Sequence, residues 1–592
     1  MKKLLASLAG VVSGMSVAIA AEPPTVIIDP GGVPPAALKS INEAVEAITR
    51  LAVDQDGGEV WRLRRRAHQA TLSALETQGY FSPVVTLEVG KDVGGETWDI
   101  TIEPGERTEI RKVDIAFSGQ IQRSEFSDRR KHARRDWQLK PGQPFINSRW
   151  SQEKDRLLDA VSRKDFYFAR YKGTRAAIMA EEAKADLSLD VNSGPRVRLG
   201  ELQVDGLKRV PRKLVERYVQ YDEGEPYDQD KLDEWQEALN NTTFFWGAFV
   251  TLDTDDDKQK VVKEDELQLP VNVRVAESFA RTFSSAISVD SDYGLRGEVL
   301  YKQNVVFNQP VRLETGASID RKRQRAFMDF YLPPTRKGYH DSVGLLVNNS
   351  DIEGLRNTRA GIGWKRKHER KAAGDSRVDY QTSLGAVVAY DKTRYKGGGG
   401  GYDVPTLVST WRWLRRDVND IYDPREGNLI EANLGAGVTL DRGEFFYRTA
   451  LRGQKWWQVG RDDVFTVRGE VGKVWSKTER LPEDFGYRTG GSRTIRGYRY
   501  QSIGIPRGSA IIGGDALTVL SMEYQHFFTP ELGMNVFVDA GDAAPSFRDL
   551  KWHLGYGVGA TYRTPAGPFG IDLAYGQKDK RLRLHFSLGI AF

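Results

Sequence analysis

The chain has 592 residues, which is too long for one compact domain and predicts several. Its 86 Lys and Arg residues nearly balance 81 Asp and Glu residues, so the net charge of +5 does not favour a nucleic-acid-binding protein. Because the sequence contains no Cys, disulfides, thiolate metal sites and Cys nucleophiles are excluded.

The N-terminal segment predicts export. Two lysines precede the apolar run Leu4–Ala20, and small residues end it near Ala21. This pattern is typical of a cleavable secretory signal, here residues 1–21. An uncleaved membrane anchor is the alternative, although Gly10 and Gly14 interrupt the run and weaken it as a stable span. We therefore expect the chain to reach a Gram-negative periplasm or outer membrane.

Residues 24–276 show weak self-similarity at a period of roughly 80–90 residues, which predicts repeated modules. Each repeat predicts one strand, two helices and two further strands. The second helices end in aromatic clusters and are predicted at Glu59–Tyr80, Ser148–Asp165 and Gln229–Asn241. The predicted modules cover residues 22–107, 108–194 and 195–276. Such a unit leaves a sheet edge that can pair with an extended peptide. Generic α/β spacers are the alternative.

Residues 277–592 predict an antiparallel barrel of sixteen strands. The mean hydropathy of the chain is −0.50, but barrel strands alternate apolar and polar residues and average to such a value. The last strand places its apolar residues on one face: Leu582, Leu584, Phe586, Leu588, Ile590 and Phe592. A water-soluble sandwich could also alternate, but it would rarely carry so many aromatic residues or end on Phe. We therefore expect a transmembrane barrel.

A loop rich in Gly and Arg, Arg488–Tyr500, lies in the long gap after the eleventh predicted barrel strand. The two following strands place Glu523 and Asp539 opposite their apolar residues, so both carboxylates would face the lumen. A lone carboxylate there is costly unless it is paired. The planar guanidinium of Arg496 can engage more than one carboxylate, which predicts that this loop folds inward. A solvated surface loop is the alternative.

The motif Ile495-Arg496-Gly497-Tyr498 resembles the signature loop of the BamA/TamA superfamily of outer-membrane assembly and secretion proteins. The three repeats resemble the POTRA domains of that superfamily, and the terminal aromatic residue resembles the recognition signal of outer-membrane barrels. The resemblance implies that the tip of the sixth external loop meets acids on the two following strands. The site residues implied are Ile495, Arg496, Gly497, Tyr498, Glu523, Phe537, Asp539 and Gly541.

Three modules and a barrel in under 600 residues resemble the TamA branch of this superfamily. Membership implies a barrel in the outer membrane, modules in the periplasm and a TamB-like partner that spans the periplasm from the inner membrane. It also implies assembly of nascent outer-membrane proteins such as autotransporters, in contact with outer-membrane lipid. A two-partner-type secretion pore and a conduit for envelope phospholipid are the alternatives.

No catalytic constellation emerges from the sequence. The seven histidines are scattered, and none has a Ser or an acid at a telling spacing. We expect no enzyme activity, no cofactor and no metal site. A barrel hydrolase is a remote alternative, and a passive porin would not need the N-terminal modules.

The junction of the first and last barrel strands predicts a lateral gate. The first strand, Phe279–Asp290, is polar and irregular, whereas the last strand alternates well. A marginal seam between them could open and offer its edge to an incoming strand. The predicted seam residues are Phe283 and Ile287 in the first strand and Phe586, Leu588, Ile590 and Phe592 in the last.

Overall fold

A computed structural model describes residues 23–52, 57–92, 95–255, 259–263, 266–372, 377–397, 400–564 and 567–588. The chain forms two compact units. The first contains the residues up to Gln203 together with Tyr221–Asp233 and Thr251–Asn272, and the second contains Val204–Gln220, Glu234–Val250 and Val273–Phe592. Among the described residues, none of the helices combines the length and the apolar character that crossing a membrane requires.

The first two α/β modules share one arrangement. The first has β1 (Thr25–Asp29), α1 (Pro35–Thr49), α2 (Gly57–Thr77), β2 (Val84–Asp92) and β3 (Gly95–Glu103). The second has β4 (Glu109–Ser118), α3 (Ser127–Asp136), α4 (Asn147–Ser162), β5 (Arg170–Met179) and β6 (Lys184–Asn192). In each sheet the last strand lies centrally, parallel to the first strand and antiparallel to the second. Helical spacing places Ile41 and Val45 of α1 in the core of the first module, where Trp98 is also fully buried.

A third module has β7 (Arg196–Asp205), α5 (Arg212–Tyr218), α6 (Gln229–Asn240), β8 (Phe245–Leu252), β9 (Lys260–Lys263) and β10 (Glu266–Glu277). Its sheet has the order β7-β10-β8, and β9 pairs with β10. The second helix of each module lies within a few residues of its predicted bounds. The predicted boundaries between the modules remain predictions.

Sixteen antiparallel strands form the barrel, each paired with the next along the chain. The first eight are β11 (Arg281–Asp290), β12 (Gly294–Gln303), β13 (Arg312–Ile319), β14 (Arg323–Tyr331), β15 (Tyr339–Ile352), β16 (Leu355–Lys371), β17 (Val378–Tyr395) and β18 (Gly401–Val418). The next three are β19 (Gly427–Thr439), β20 (Phe445–Val459) and β21 (Asp463–Ser476). A small hairpin of β22 (Ile505–Arg507) and β23 (Ala510–Ile512) interrupts the series. The last five are β24 (Ala516–Phe527), β25 (Leu532–Ala544), β26 (His553–Thr564), β27 (Gly567–Gly576) and β28 (Arg581–Leu588).

This architecture confirms the predicted fold class of α/β modules followed by a sixteen-stranded barrel. Strand β25 shows the alternation on which the lumen prediction depends. Its exposed side chains are Met534, Val536 and Val538, and its buried ones are Asn535, Phe537 and Asp539. Outward apolar and inward polar positions alternate because successive side chains of a strand point to opposite faces.

Some predicted features lie outside the described residues. They are the signal segment 1–21 and the last four residues of the chain, including Ile590 and Phe592. Leu588 is described only as the last residue of β28.

Candidate functional site

The lumen loop, which we define as residues 477–515, connects β21 to β24 and folds into the barrel. Its tip, Ile495–Tyr498, is buried, and Ile495 packs in an apolar cluster with Leu517 and Val519 of the barrel wall. The guanidinium-bearing Arg496 is only 6% exposed. The loop therefore places a charged side chain where it needs partners.

Three carboxylates surround Arg496. Its Nε donates to Asp539 at 2.8 Å, and its backbone N–H donates to the same oxygen at 3.0 Å. One terminal nitrogen donates to Glu523 at 2.6 Å and to Asp572 at 3.1 Å, and the other donates to Asp539 at 3.1 Å. The ring centroid of Phe537 lies 3.4 Å from Cζ of Arg496. The planar donor fork is thus engaged on three strands at once.

Neighbouring polar side chains also donate hydrogen bonds to these carboxylates. Ser521 donates to Asp539 at 2.6 Å, and Asn535 donates to Asp572 at 3.0 Å. Asp539 is completely buried, so each oxygen needs such a donor. We conclude that the tip and the wall form one hydrogen-bonded network.

Glycines allow the loop backbone to approach the wall closely. Gly497 has φ of +92°, a conformation that other residues adopt at a cost. A Cβ atom added to Gly555 would lie 1.9 Å from the carbonyl oxygen of Arg496, and one added to Gly541 would lie 3.0 Å from Cδ1 of Ile495. The tip therefore occupies space that side chains on these strands would fill.

The tip is also bound to the last strand and its preceding turn. The backbone N–H of Gly497 donates to Nε2 of His585 at 2.9 Å, and Nε of Arg583 donates to the carbonyl oxygen of Gly497 at 3.0 Å. The Tyr498 hydroxyl donates to the carbonyl oxygen of Leu554 at 3.0 Å and accepts a hydrogen bond from the backbone N–H of Lys578 at 3.1 Å. Strand β28 thus holds the tip through side chains that face the lumen.

A second part of the lumen loop binds the turn between β11 and β12. The Ser492 hydroxyl donates to Asp292 at 2.7 Å, and its backbone N–H lies 3.2 Å from both carboxylate oxygens of Asp292. The hydroxyl of Tyr293 donates to that of Tyr500 at 2.6 Å. We call the Asp292–Ser492 contact the clasp. The loop is therefore attached on both sides of the junction between β11 and β28.

We call that junction the seam. Strand β11 pairs with β12 from Arg281 to Asp290, whereas among the described residues only Asp290 pairs with Ser587 across the seam. The backbone N–H of Ser291 adds one bond of 3.3 Å to Phe586. Phe283 and Ile287 are 69% and 77% exposed and lie on the outer face of β11.

A further anchor holds the lumen loop at the opposite wall. Arg359 on β16 donates to Asp391 on β17 at 2.9 and 3.1 Å and to Asp484 of the loop at 2.8 Å. Arg488 donates to Glu483 at 2.8 Å within the loop. The sequence analysis did not predict these contacts.

The structure brings together all eight residues predicted for the loop site, but their role as a lock remains a prediction. Sequence reasoning missed Asp572 and His585 as partners of the tip, although both lie opposite the apolar faces of their strands. Within the described ranges, no group of three or more His, Asp and Glu side chains could hold a metal ion.

The barrel is similar to known proteins in sequence and in fold. The Omp85 superfamily domain matches residues 281–592. The outer membrane protein assembly factor BamA of Nitratidesulfovibrio vulgaris is 22% identical over 601 residues, which cover 94% of this chain and 72% of that protein. The crystal structure of BamA from Haemophilus ducreyi lacking POTRA domains 1–3 aligns with a TM-score of 0.64 at 17% identity, covering 81% of this chain and 99% of that one. The structural likeness shows a shared fold.

Proposed function

Because the chain belongs to the Omp85 superfamily of outer-membrane assembly and secretion barrels, we propose that it inserts or exports other outer-membrane proteins through its seam. The barrel lies in the outer membrane of a Gram-negative bacterium, with the α/β modules in the periplasm. Its clients are outer-membrane proteins such as autotransporters, and its partner is a TamB-like inner-membrane protein. We also propose that it assembles its clients without catalysis.

The attachment of the lumen loop to both sides of the seam is the observation that carries this proposal. When the seam opens, the freed edge of β11 presents N–H and C=O groups, and in lipid these groups have no water to bind. An incoming strand can satisfy them by adding to the sheet. The outward residues Phe283 and Ile287 would keep the edge of β11 compatible with lipid while a client strand pairs with it.

The lumen loop supports a gate that is closed at rest. It binds β28 through His585 and Arg583, and it binds the turn after β11 through Asp292. Separation of the two strands must therefore break at least one of these attachments.

A disulfide across the seam tests the gate. Asp290 and Ser587 face each other directly, and a chain without Cys gives a clean background for D290C/S587C. We expect the oxidised protein to stop inserting an autotransporter into the outer membrane and the reductant to restore insertion. The matched control S285C/V299C crosslinks β11 to β12, which are already fully paired, and should stay active. Full activity of oxidised D290C/S587C would rule the gate out.

Depletion of the chain in its host distinguishes protein cargo from lipid cargo. We expect the surface level of autotransporters to fall first, with the phospholipid content of the outer membrane unchanged over the same period. The reverse order would favour the phospholipid conduit. Crosslinking of the full chain in intact envelopes should then capture an inner-membrane protein long enough to span the periplasm.

A further inference from the structure

A strongly basic cavity lies where helix α5 meets the turn between β14 and β15, within the second compact unit. Its volume is about 420 Å³. The lining residues are Arg217, Gln220, Thr335, Arg336, Lys337, Tyr339 and Arg366. Four of the seven are cations and none is an acid. We call this cavity the headgroup pocket.

Most of this positive charge is uncompensated. Arg366 forms a bidentate pair with Asp341, at 2.8 and 2.9 Å, so its charge is largely neutralised. In the part of the chain that the structure describes, Arg217, Arg336 and Lys337 have no ion pair with a carboxylate. Three cations around one cavity repel each other, and an anion between them would relieve that repulsion.

The walls of the pocket are held in place by hydrogen bonds to backbone carbonyl oxygens. The buried hydroxyl of Tyr218 donates to the carbonyl oxygen of Pro334 at 2.6 Å. Nε of Arg336 donates to the carbonyl oxygen of Arg217 at 3.2 Å. A backbone hydrogen bond also holds the turn. The backbone N–H of Thr335 donates to the carbonyl oxygen of Tyr339 at 2.8 Å. The pocket is therefore a formed feature of this unit and not a chance gathering of side chains.

The pocket continues into the lipid-facing surface of the barrel. Asp341 lies opposite Arg366, and toward the membrane centre Val343 lies opposite Trp364 and Leu345 opposite Ile362. Side chains two apart along a strand share a face, so the exposed apolar residues Val343, Leu345 and Ile362 share the face of Arg366. The indole of Trp364 lies 5.6 Å from the Arg366 guanidinium, an arrangement typical of a membrane interface.

The orientation of the chain places this end in the periplasmic leaflet. The chain enters β11 from the periplasmic modules and reverses direction at each strand, so the turn between β14 and β15 lies on the periplasmic side. A positive pocket therefore meets an apolar stripe at the depth where phospholipid headgroups end and acyl chains begin.

We propose that the headgroup pocket binds the anionic headgroup of a phospholipid of the periplasmic leaflet, with its acyl chains along the stripe of Val343, Leu345 and Ile362. The phosphate contacts Arg336, Lys337 and Arg217. The bound lipid fills the space between α5 and the barrel and makes the attachment of α5 sensitive to the charge of the membrane. This inference rests on the outer-membrane location and not on the seam.

Native mass spectrometry of the full chain in neutral detergent tests the proposal. The protein is titrated in separate arms with phosphatidylglycerol, phosphatidylcholine and inorganic phosphate. We expect one tightly retained phosphatidylglycerol at concentrations where phosphatidylcholine is not retained. R336Q/K337Q should weaken this binding about tenfold or more, since each basic residue at such a surface contributes about 1 kcal/mol.

The matched control R442Q/R461Q removes the same charge from two exposed turns elsewhere in the barrel and should change the affinity less than about twofold. Equal weakening by both double variants would overturn the proposal, as would equal retention of the two lipids. Binding of inorganic phosphate without phosphatidylglycerol would identify a free-anion site and also overturn it. Should R336Q/K337Q fail to fold, the wild-type protein still decides the question, because rising salt must release phosphatidylglycerol and a salt-independent affinity contradicts a charged pocket.

Discussion

The backbone N–H of Gly497 donates to Nε2 of His585, which attaches the tip of the lumen loop to the last barrel strand. Because Nε2 accepts this hydrogen bond, it carries no proton, and the proton of the neutral ring lies on Nδ1. On the other side of the seam, the same loop holds Asp292 through Ser492. The loop therefore bridges the first and last strands of the barrel and stabilises their junction.

Removal of the Arg496 guanidinium should destabilise the barrel strongly. R496A leaves Asp539, Glu523 and Asp572 close together without the cation that pairs with them, and breaking a buried pair in this way costs about 3–5 kcal/mol. We expect a large fall in the urea concentration at the unfolding midpoint, measured in detergent by the heat-dependent shift in gel mobility. R496K should be intermediate, because an ammonium group cannot engage three carboxylates in the same plane.

The matched control for this prediction is R499A. Arg499 lies three residues along the same loop and pairs with Glu353 at 2.8 Å, but its side chain is 62% exposed. Because the cation of this pair lies mostly in solvent, the pair contributes about 0–1 kcal/mol, and R499A should fold and unfold almost as the wild type does. Equal, mild effects of R496A and R499A would mean that the tip is not a structural lock.

The clasp should be coupled to the opening of the seam. D292A removes the whole clasp and S492A removes the hydrogen bond of its hydroxyl, so each should raise the frequency of openings in planar-bilayer recordings, D292A more than S492A. Because both variants act on the same contact, the double variant should open no more often than D292A alone. E353A breaks a different contact of the loop and should leave the frequency unchanged. Additive effects of D292A and S492A would show that they act independently of the clasp.

Much of this site could be predicted because a strand has a period of two. Glu523 and Asp539 each stand opposite the apolar face of their strand, which is enough to direct them into the lumen. Asp572 shows the same pattern, since its apolar neighbours Ile571 and Leu573 point to the other face of the strand. The sequence could not show that Arg496 reaches β27 as well, because that reach depends on the register of three strands.

The fold was predictable for the same reason, whereas the gate at the seam stays a prediction. Alternation and turn residues indicated sixteen strands, and the polar first strand indicated a weak junction. The register that pairs Asp290 with Ser587 depends on how far the two ends of a long sheet are offset when they meet. No local pattern encodes that offset. The anchors at Arg359 and His585 were missed because they join residues distant in sequence.

Added volume at Gly555 should displace the loop tip. In G555A the new Cβ would overlap the carbonyl oxygen of Arg496 at 1.9 Å, so either the strand or the tip must move. Such overpacking costs about 1–3 kcal/mol, and it should appear as a lower unfolding midpoint and faster tryptic cleavage after Arg493. The control is G570A, a lumen-side glycine of β27 whose Cβ would meet nothing within 4 Å. An unchanged midpoint in G555A would mean that the tip does not depend on this close approach.

Acid should loosen the segment that leads into α5. Burial favours the protonated form of Glu277. Hydrogen bonds from the backbone N–H groups of Arg209, Val210 and Lys208 outweigh this effect of burial and leave the pKa of Glu277 below its ordinary value of 4.5.

Because the pKa of Glu277 is lower in the folded state, the carboxylate contributes stability that is fully present above the ordinary value and is lost as the pH falls through the folded pKa. We expect amide-exchange protection factors at residues 208–210 to fall as the pH is lowered from about 5 to about 3, and to fall much less in E277Q, which has no charge to lose. E223Q, at an exposed acid of the same module, should keep the wild-type profile. A pH profile that is identical in E277Q and the wild type would mean that another group controls this segment.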